Sequence, residues 1–284
     1  MKMPMLSLRH ILAALVALLL SLPLSAQGER GGRMWMFGAT RANIYDEYLS
    51  PLDYKGYGGT MTMISERAAR WSPKVVIDTC DFVIQSKVTS FLLLDLTGSY
   101  TVNPSGNAHF YEVQTQFAAG WHANWFFHPG IGQRVRVRAG GLAEFSAGGT
   151  YSTRNGNNPG QGRAAIDLAA STIADIYFRS PFKRQHEEWI LRAELDIPFL
   201  GAMFSPQYGQ SYYEIFSLRH YDRNVCMTWP VNAPSARLVT TFDIPIGDAR
   251  ILLGYRGEAR QSHVHHLGRH AWTNGLVVGF VHRF

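Results

Sequence analysis

Fifteen residues near the middle of the chain, Tyr111 to Trp125 (YEVQTQFAAGWHANW), decide the fold class. Starting from Tyr111, every second residue is apolar or aromatic at seven of eight positions, and the residues between them are polar or small. A strand of an outer-membrane barrel points alternate residues at lipid and at the lumen over about ten positions. The segment therefore predicts a membrane-spanning β-strand.

The same alternation recurs along the chain and places charged side chains on one face of several segments. A soluble antiparallel sandwich also alternates, but its strands usually have only about five or six residues. Opposite charges in quantity on the polar faces favour a hydrated or salt-bridged lumen. The polar residues that we expect to face the lumen are Glu112, Gln114, Arg134, Arg136, Arg138, Arg192, Glu194, Asp196, Arg256 and Glu258.

The beginning of the chain has the pattern of an export signal. Lys2 and Arg9 precede an apolar stretch over 11–22, and a proline and small residues follow up to Ala26. The stretch is shorter than the roughly 20 apolar residues of a spanning helix. We therefore expect a cleaved signal peptide over 1–26 and a single barrel domain over 27–284.

The end of the chain resembles the terminal signal that the bacterial barrel-assembly machinery reads. Leu276, Val278, Phe280 and Phe284 lie on one face of an alternating segment that ends at an aromatic residue. The sequence thus predicts the assembly machinery as a partner, outer-membrane lipid as the surroundings, and the outer membrane as the location.

Composition narrows the remaining classes of protein. Aromatic residues make up 13% of the chain, charged residues 17%, and there are 27 glycines. No stretch after the signal approaches 18 uninterrupted apolar residues, and only helices and closed barrels satisfy their backbone in a bilayer. The formal net charge of +6, without basic runs, does not indicate a nucleic-acid partner. Cys80 and Cys226 allow one bridge but exclude a disulfide framework.

Turn signals give a topology of ten or twelve strands, of which we prefer twelve. The predicted strands cover 33–42, 57–70, 74–84, 87–101, 108–127, 133–151, 163–179, 186–198, 208–219, 236–246, 250–262 and 271–284. With the C-terminus in the periplasm, 127–133, 179–187, 219–235 and 261–271 are expected to be extracellular. The expected periplasmic turns are 102–107, 152–162, 199–207 and 247–249, and two of them are longer than is usual.

Candidate sites for chemistry are weak. His263, His265, His266 and His270 have ligand chemistry for a transition metal, but no acidic or cysteine partner has matching spacing. Ser262 and His263 are neighbours on a strand, so their side chains point to opposite faces. A G-x-S-x-G motif is absent from the sequence. We expect no catalytic residue, metal or cofactor, and the charged lumen is either an ion-selective pore or a filled interior.

Four segments carry a resemblance to a known family: NIYDEYLSPLDYKG (43–56), YSTRNGNNPG (151–160), SPQYGQSYYEIFSL (205–218) and GYRGEARQSHVHHL (254–267). They resemble the outer-membrane family catalogued as domain of unknown function 3316, found in Bacteroidota. The resemblance implies a barrel in the outer membrane and brings no activity. The sequence departs from the family where asparagines are expected near His265 and His266, which weakens a shared metal site.

Two of these segments coincide with the two long turns. We hypothesise that Asn155, Asn157, Asn158, Tyr208, Gln210 and Tyr212 fold into the barrel mouth, as a plug or a partner-docking surface. The sequence as a whole predicts an all-β, closed antiparallel transmembrane barrel that is monomeric. Its expected role is a small-solute pore or a structural component of the envelope. The alternatives are a lipid-modifying enzyme and a binding or adhesion protein that acts through its extracellular loops.

Overall fold

The structure is a computed structural model that describes residues 32–69, 76–79, 82–85, 88–127, 134–154, 156, 158–179, 188–219, 223–246 and 249–283. The predicted signal peptide, Cys80 and Phe284 lie outside these residues. The strands are β1 (Gly32–Asp46), β2 (Ser50–Ala68), β3 (Val76–Thr79), β4 (Phe82–Gln85), β5 (Val88–Val102), β6 (His109–Phe127), β7 (Arg134–Ser152), β8 (Gly160–Arg179), β9 (Glu188–Phe204), β10 (Val225–Thr228), β11 (Ser235–Ile246), β12 (Ala249–Val264) and β13 (Leu267–Arg283). One short helix, α1, covers Tyr212–Phe216.

Among the described residues, ten strands form a closed antiparallel ring in the order β1, β2, β5, β6, β7, β8, β9, β11, β12 and β13. The ring closes because β13 pairs with β1, from Gly32 opposite Arg283 to Asp46 opposite Arg269. The predicted all-β barrel is confirmed, with the smaller of the two strand counts. In the described part of the chain, no helix is long and apolar enough to cross a membrane.

The predicted strand over 208–219 is wrong. The segment is a loop that contains α1, and the helix begins where Ser211 and Glu214 form a capping box. In this arrangement the Ser211 hydroxyl accepts from the Glu214 amide, and the Glu214 carboxylate accepts from the Ser211 amide. Such reciprocal bonds satisfy backbone donors that a strand would need a partner to satisfy. Local capping therefore favours a helical turn over the predicted strand.

The predicted strand over 74–84 also does not belong to the ring. It is divided into β3 and β4, which pair with each other, and β4 pairs with the last residues of β6. These two corrections, at 74–84 and at 208–219, account for the difference between twelve strands and ten.

The absence of a strand at 208–219 inverts the predicted sidedness of the earlier connections, as far back as the second missing strand at 74–84. We call the end where β1 begins and β13 ends the proximal end, and the opposite end the distal end. The turns 103–108 and 153–159 and the connection 205–234 lie at the distal end, and the chain leaves β6 and β8 at the proximal end. Relative to the C-terminal end of β13, the expected end of the ring was wrong for 102–107, 127–133, 152–162, 179–187 and 199–207. It agrees for 219–235, 247–249 and 261–271, and the assignment of the two ends to periplasm and exterior stays a prediction.

The exterior of the ring is apolar. Outward side chains on several strands include Phe37, Leu96, Phe117, Ile166 and Leu276, each more than two-fifths exposed. The ring strands have 12 to 20 residues. They are therefore longer than the roughly 9–11 residues that a strand needs to cross a bilayer. Polar residues alternate with these side chains and lie inside, as the period of two requires.

Prediction on closure. Gly275 faces inward on β13, and a Cβ on it would lie 2.0 Å from the backbone oxygen of Ala39 on β1. We expect Gly275→Ala to force apart the β13–β1 seam and to destabilise the folded barrel by about 1–3 kcal/mol. Urea unfolding in detergent, followed by heat-modifiable mobility, measures this. Gly98→Ala is the matched control, because its Cβ would meet no atom nearer than 4.0 Å. Equal stability of the two variants would contradict the argument.

Candidate functional site

An apolar layer crosses the interior of the barrel. Among the described residues, every ring strand except β9 contributes to it, and its members are buried. The layer consists of Met34, Met36, Ile64, Phe91, Leu93, Ala118, Leu142, Ala169, Ile173, Val239, Leu252 and Val277. Packed apolar side chains of this kind leave no path for water or ions.

Ion pairs occupy the place that β9 leaves open in the apolar layer. Arg192 donates to Glu194 on the same strand at 2.7 Å, and Arg237 of β11 pairs with both Glu194 and Asp196. Arg192 also reaches Glu66 on β2 at 2.6 Å, on the opposite wall of the ring. The gap that β9 leaves in the apolar layer is therefore filled by paired charges.

Two further groups of charges cross the lumen on the distal side of the apolar layer. Arg256 of β12 meets Asp95 of β5 at 2.6 Å. Nearer the distal end, Arg163 of β8 meets Asp46 of β1 at 3.1 Å, and β8 and β1 are opposite each other in the ring. Side chains from facing walls of the ring therefore touch at these levels of the lumen.

One cavity of about 100 Å³ remains between the apolar layer and the distal end. Its lining includes Glu144, Asp167, Asp196, Arg237 and Arg260. Glu144 is 5% exposed and makes no hydrogen bond or ion pair with any residue that the structure describes. Glu144 also lies directly opposite Asp167 on the neighbouring strand, where like charges repel. The cavity thus contains a buried carboxyl group that no described residue pairs with directly.

A buried Ser–His pair lies on the proximal side of this cavity. His122 Nε2 is 2.8 Å from Ser171 Oγ, although β7 separates their strands. Gly140 of β7 stands between them in register and has no side chain, so the imidazole reaches across. The Nδ1 atom of His122 has no hydrogen-bond partner in the described part of the chain, and both side chains are almost fully buried.

The distal end is closed by a cap formed by parts of the four family-like segments. We define the cap as the turn 47–49, the start of β8, the loop 205–219 and the turn 265–266. The Tyr48 hydroxyl donates to the Gln210 carbonyl at 2.9 Å. The Tyr212 hydroxyl accepts from the Gly162 amide at 2.6 Å and donates to the Gly162 carbonyl at 3.0 Å. The Tyr48 side chain of the β1–β2 turn and the Gly162 backbone of β8 therefore hold the helical loop over the mouth.

The two cap tyrosines keep their protons at ordinary pH. Burial, and then the neighbouring Tyr212, raises the pKa of Tyr48 to about 12. Burial also raises the pKa of Tyr212 above its usual value of 10.0. A raised pKa means that the folded state holds the proton more tightly, so the contribution of these hydroxyls is complete below pH 10 and is lost above it. The cap contacts are thus insensitive to pH in the physiological range.

The polar residues predicted for the lumen do lie inside the ring, except at the rim. The side chains of Glu112, Gln114, Arg136, Arg138, Arg192, Glu194, Asp196, Arg256 and Glu258 face the interior. Arg134 is exposed at the proximal rim, where it pairs with Glu188. A functional role for these residues remains a prediction.

The residues predicted to fold into the mouth divide into three groups. Gln210 and Tyr212 belong to the cap, and Asn158 is half-buried beside it. Tyr208 is 68% exposed and points away. Asn155 and Asn157 lie outside the described residues.

The remaining candidates do not form a site. His265 donates toward the carbonyl oxygens of Ser205 and Pro206, and His270 stacks on Trp272. Within the described ranges, no group of three or more His, Cys, Asp or Glu residues is arranged to hold a metal. The half-buried Cys226 contacts the Met203 carbonyl, and Cys80 lies outside the described residues.

Sequence reasoning missed Glu66, Asp95 and Arg163, which bridge the lumen, and the Ser171–His122 pair. The first three sit in alternating segments, so their inward orientation was predictable. Their partners across the ring were not, because those depend on strand number and stagger. A glycine at an inward position of an alternating segment, such as Gly140, is the signal that marks a side chain reaching across a strand.

Prediction on the cavity. We expect Glu144→Gln to stabilise the barrel by about 1 kcal/mol, because it removes a buried unpaired charge. Glu194→Gln is the matched control. It should destabilise the barrel by about 3 kcal/mol, because it removes one of the two carboxylates that pair with each of the buried residues Arg192 and Arg237. Urea unfolding of both variants in the same detergent measures the difference, and equal shifts in one direction would overturn the assignment of Glu144 as unpaired.

Comparison with solved structures finds similarity to barrels at low sequence identity. The transport unit of the autotransporter AIDA-I from Escherichia coli has a TM-score of 0.42 and 7% identity, covering 95% of this chain and 96% of that chain. The outer membrane protease OmpT from Escherichia coli has a TM-score of 0.44 and 8% identity, covering 93% and 99%. The translocator domain of NalP from Neisseria meningitidis scores 0.35 at 11% identity, covering 95% of each chain.

Comparison with sequences gives one informative result. No curated protein matches the chain. Residues 14–284 match the family described as "Protein of unknown function (DUF3316)". Since this match covers nearly the whole sequence, the chain belongs to the DUF3316 family.

Proposed function

We propose that this protein is an outer-membrane β-barrel with a closed lumen, a non-conducting component of the envelope whose distal cap faces the outside. The outer-membrane location is supported by the apolar exterior of the ring and by strands long enough to cross a bilayer. The export pattern over 1–26 is consistent with it. Cleavage after Ala26, assembly through the C-terminal strand and a monomeric state are part of the same proposal.

Contacts across the lumen are the observation that carries this proposal. Arg192–Glu66, Arg256–Asp95 and Arg163–Asp46 join facing walls at separate levels. The apolar layer lies among these levels and has no polar lining that would conduct ions. A small-solute pore needs a continuous wet path, so the geometry favours a structural role over conduction.

Enzymatic activity receives less support than a structural role. The Ser171–His122 pair is the arrangement nearest to a nucleophile and its base. A working pair needs a third group to orient the imidazole and access for a substrate. Among the described residues, His122 Nδ1 has no partner that could orient the imidazole. The Phe91 ring packs against the imidazole, with 5.1 Å between the ring centroids, and leaves no access for a substrate on that side.

A specific feature favours a second role, binding at the cell surface through the cap. Tyr208, Tyr213 and Phe216 are 68%, 67% and 57% exposed on a loop that the cap contacts hold in place. Exposed aromatic residues on a fixed surface are typical of binding hot spots. Serine substitution of these three residues should reproduce the envelope phenotype of a deletion if the cap binds a partner. A wild-type phenotype would exclude that role.

Prediction on conductance. We expect the refolded, heat-modifiable protein to give no steady single-channel current in a planar bilayer. Leu93→Ser with Leu142→Ser opens the apolar layer and should admit an ion leak. The matched control, Leu96→Ser with Leu253→Ser, changes outward leucines and should stay silent. A steady current from the wild-type protein would overturn the closed barrel.

Prediction on the cap. Tyr212→Phe removes both hydrogen bonds to Gly162 and keeps the ring, so the loop should open more often. We expect trypsin to cleave after Arg219 and Arg223 about tenfold faster, which corresponds to the loss of two hydrogen bonds. Tyr213→Phe, at an exposed position of the same helix, is the control and should leave the rate unchanged. Equal rates for both variants would show that the cap does not depend on Tyr212.

A further inference from the structure

Outward side chains of β13, β1, β2 and β5 form rows across the wall of the barrel, and the rows change character toward the distal end. One row contains Val278, Phe37, Met61 and Leu96. The next, nearer the distal end, contains Leu276, Ala39, Gly59 and Gly98. The third row contains Asn274, Arg41, Tyr57 and Tyr100. The fourth row contains Trp272, Asn43, Lys55 and Val102. The exterior thus passes from apolar to small and then to polar side chains.

Arg41 and Lys55 stand diagonally adjacent on neighbouring strands at this boundary. Both are exposed, and neither makes a hydrogen bond or ion pair with any residue in the described ranges. On β2, the outward carboxylate nearest to Lys55 is that of Asp53, and its Oδ1 atom lies 3.2 Å from His270 Nε2. The two cations are therefore side by side without an anion supplied by the described chain.

A groove of about 520 Å³ lies between these cations, and no carboxylate among the described residues lines it. Asn43, Tyr57, Trp272 and Asn274 complete its walls. The Oδ1 atom of Asn43 is buried beside the groove and has no hydrogen-bond partner among the described residues. An anionic ligand in the groove would satisfy both cations.

The rows place this groove at the height of lipid headgroups, if the barrel spans the outer membrane as proposed. Tyr57 and Trp272 are 70% and 41% exposed, and such aromatic residues form girdles at membrane interfaces. Gly59 and Gly98 lie on the apolar side of the cations, and a Cβ on either would meet no atom nearer than 3.6 Å. These small residues leave a shallow track along which an acyl chain can lie.

We propose that Arg41 and Lys55 bind the phosphomonoester headgroup of a lipid in the distal leaflet, with its acyl chain over Ala39, Gly59 and Gly98. A phosphomonoester carries about −1.5 to −2 charges, which matches the two cations. A phosphodiester lipid carries one negative charge and leaves one cation uncompensated. This inference rests on the proposed membrane location.

The test uses full-length protein refolded into phosphatidylcholine nanodiscs that contain a minor fraction of phosphatidic acid, a phosphomonoester lipid. Native mass spectrometry after release counts the lipids that stay bound. We expect the wild type to retain phosphatidic acid and Arg41→Ser with Lys55→Ser to retain about tenfold less. The control is Arg219→Asn with Arg223→Asn, which removes the same charge from the distal loop at residues with positive φ. It should retain the wild-type amount.

The outcomes separate the lipid site from the membrane location. Retention of phosphatidic acid by the Arg41/Lys55 variant at the wild-type level overturns the site. Equal retention of phosphatidylglycerol, a phosphodiester lipid, by the wild type overturns the phosphomonoester assignment. Vesicle flotation and heat-modifiable mobility are measured first for every variant. A wild-type protein that does not float with vesicles would overturn the membrane location itself.

Discussion

Ion pairs that meet across the lumen are the interaction on which the rest of this barrel depends. The interior of a ten-stranded ring is wide, and one layer of apolar side chains fills only part of its length. Arginines are long enough to reach the facing wall, and Arg192 and Arg163 do so. Each buried guanidinium then requires a carboxylate, because an unpaired buried charge is strongly destabilising. The pairs therefore stabilise the arrangement in which these strands face each other.

Inward glycines make part of this network possible. Gly140 lets His122 reach Ser171 across β7, and Gly201 lets Asp167 accept from Thr228 across β9 at 3.2 Å. A side chain at either position would occupy the space that the polar contact uses; a Cβ on Gly201 would lie 1.9 Å from Asp167 Oδ1. These glycines thus connect strands that are not neighbours and join the wall to the interior network.

The closed interior moves attention to the two surfaces that remain. At the distal end, segments far apart in the sequence form one cap, which the hydroxyls of Tyr48 and Tyr212 hold in place. On the outer wall, Arg41 and Lys55 interrupt an otherwise apolar face. Both surfaces lie at the same end of the ring, so binding of a partner and contact with lipid headgroups would take place on the same side of the membrane.

The sequence by itself determined the barrel class and which side chains face inward, because the period of two along a strand is a local property. Glu112, Arg138 and Arg256 could be placed inside the ring on that basis alone. The same local pattern misjudged 208–219, where a capping box between Ser211 and Glu214 competes with strand formation. Since one strand more or less reverses the direction of the chain, that local error inverted the sidedness of the preceding turns.

Only the tertiary structure decided which charges meet. Whether Arg192 reaches Glu66, or Arg256 reaches Asp95, depends on how many strands close the ring and how far they are staggered. Neither quantity is encoded in any single segment. The contacts that cross the lumen are therefore a property of the assembled ring.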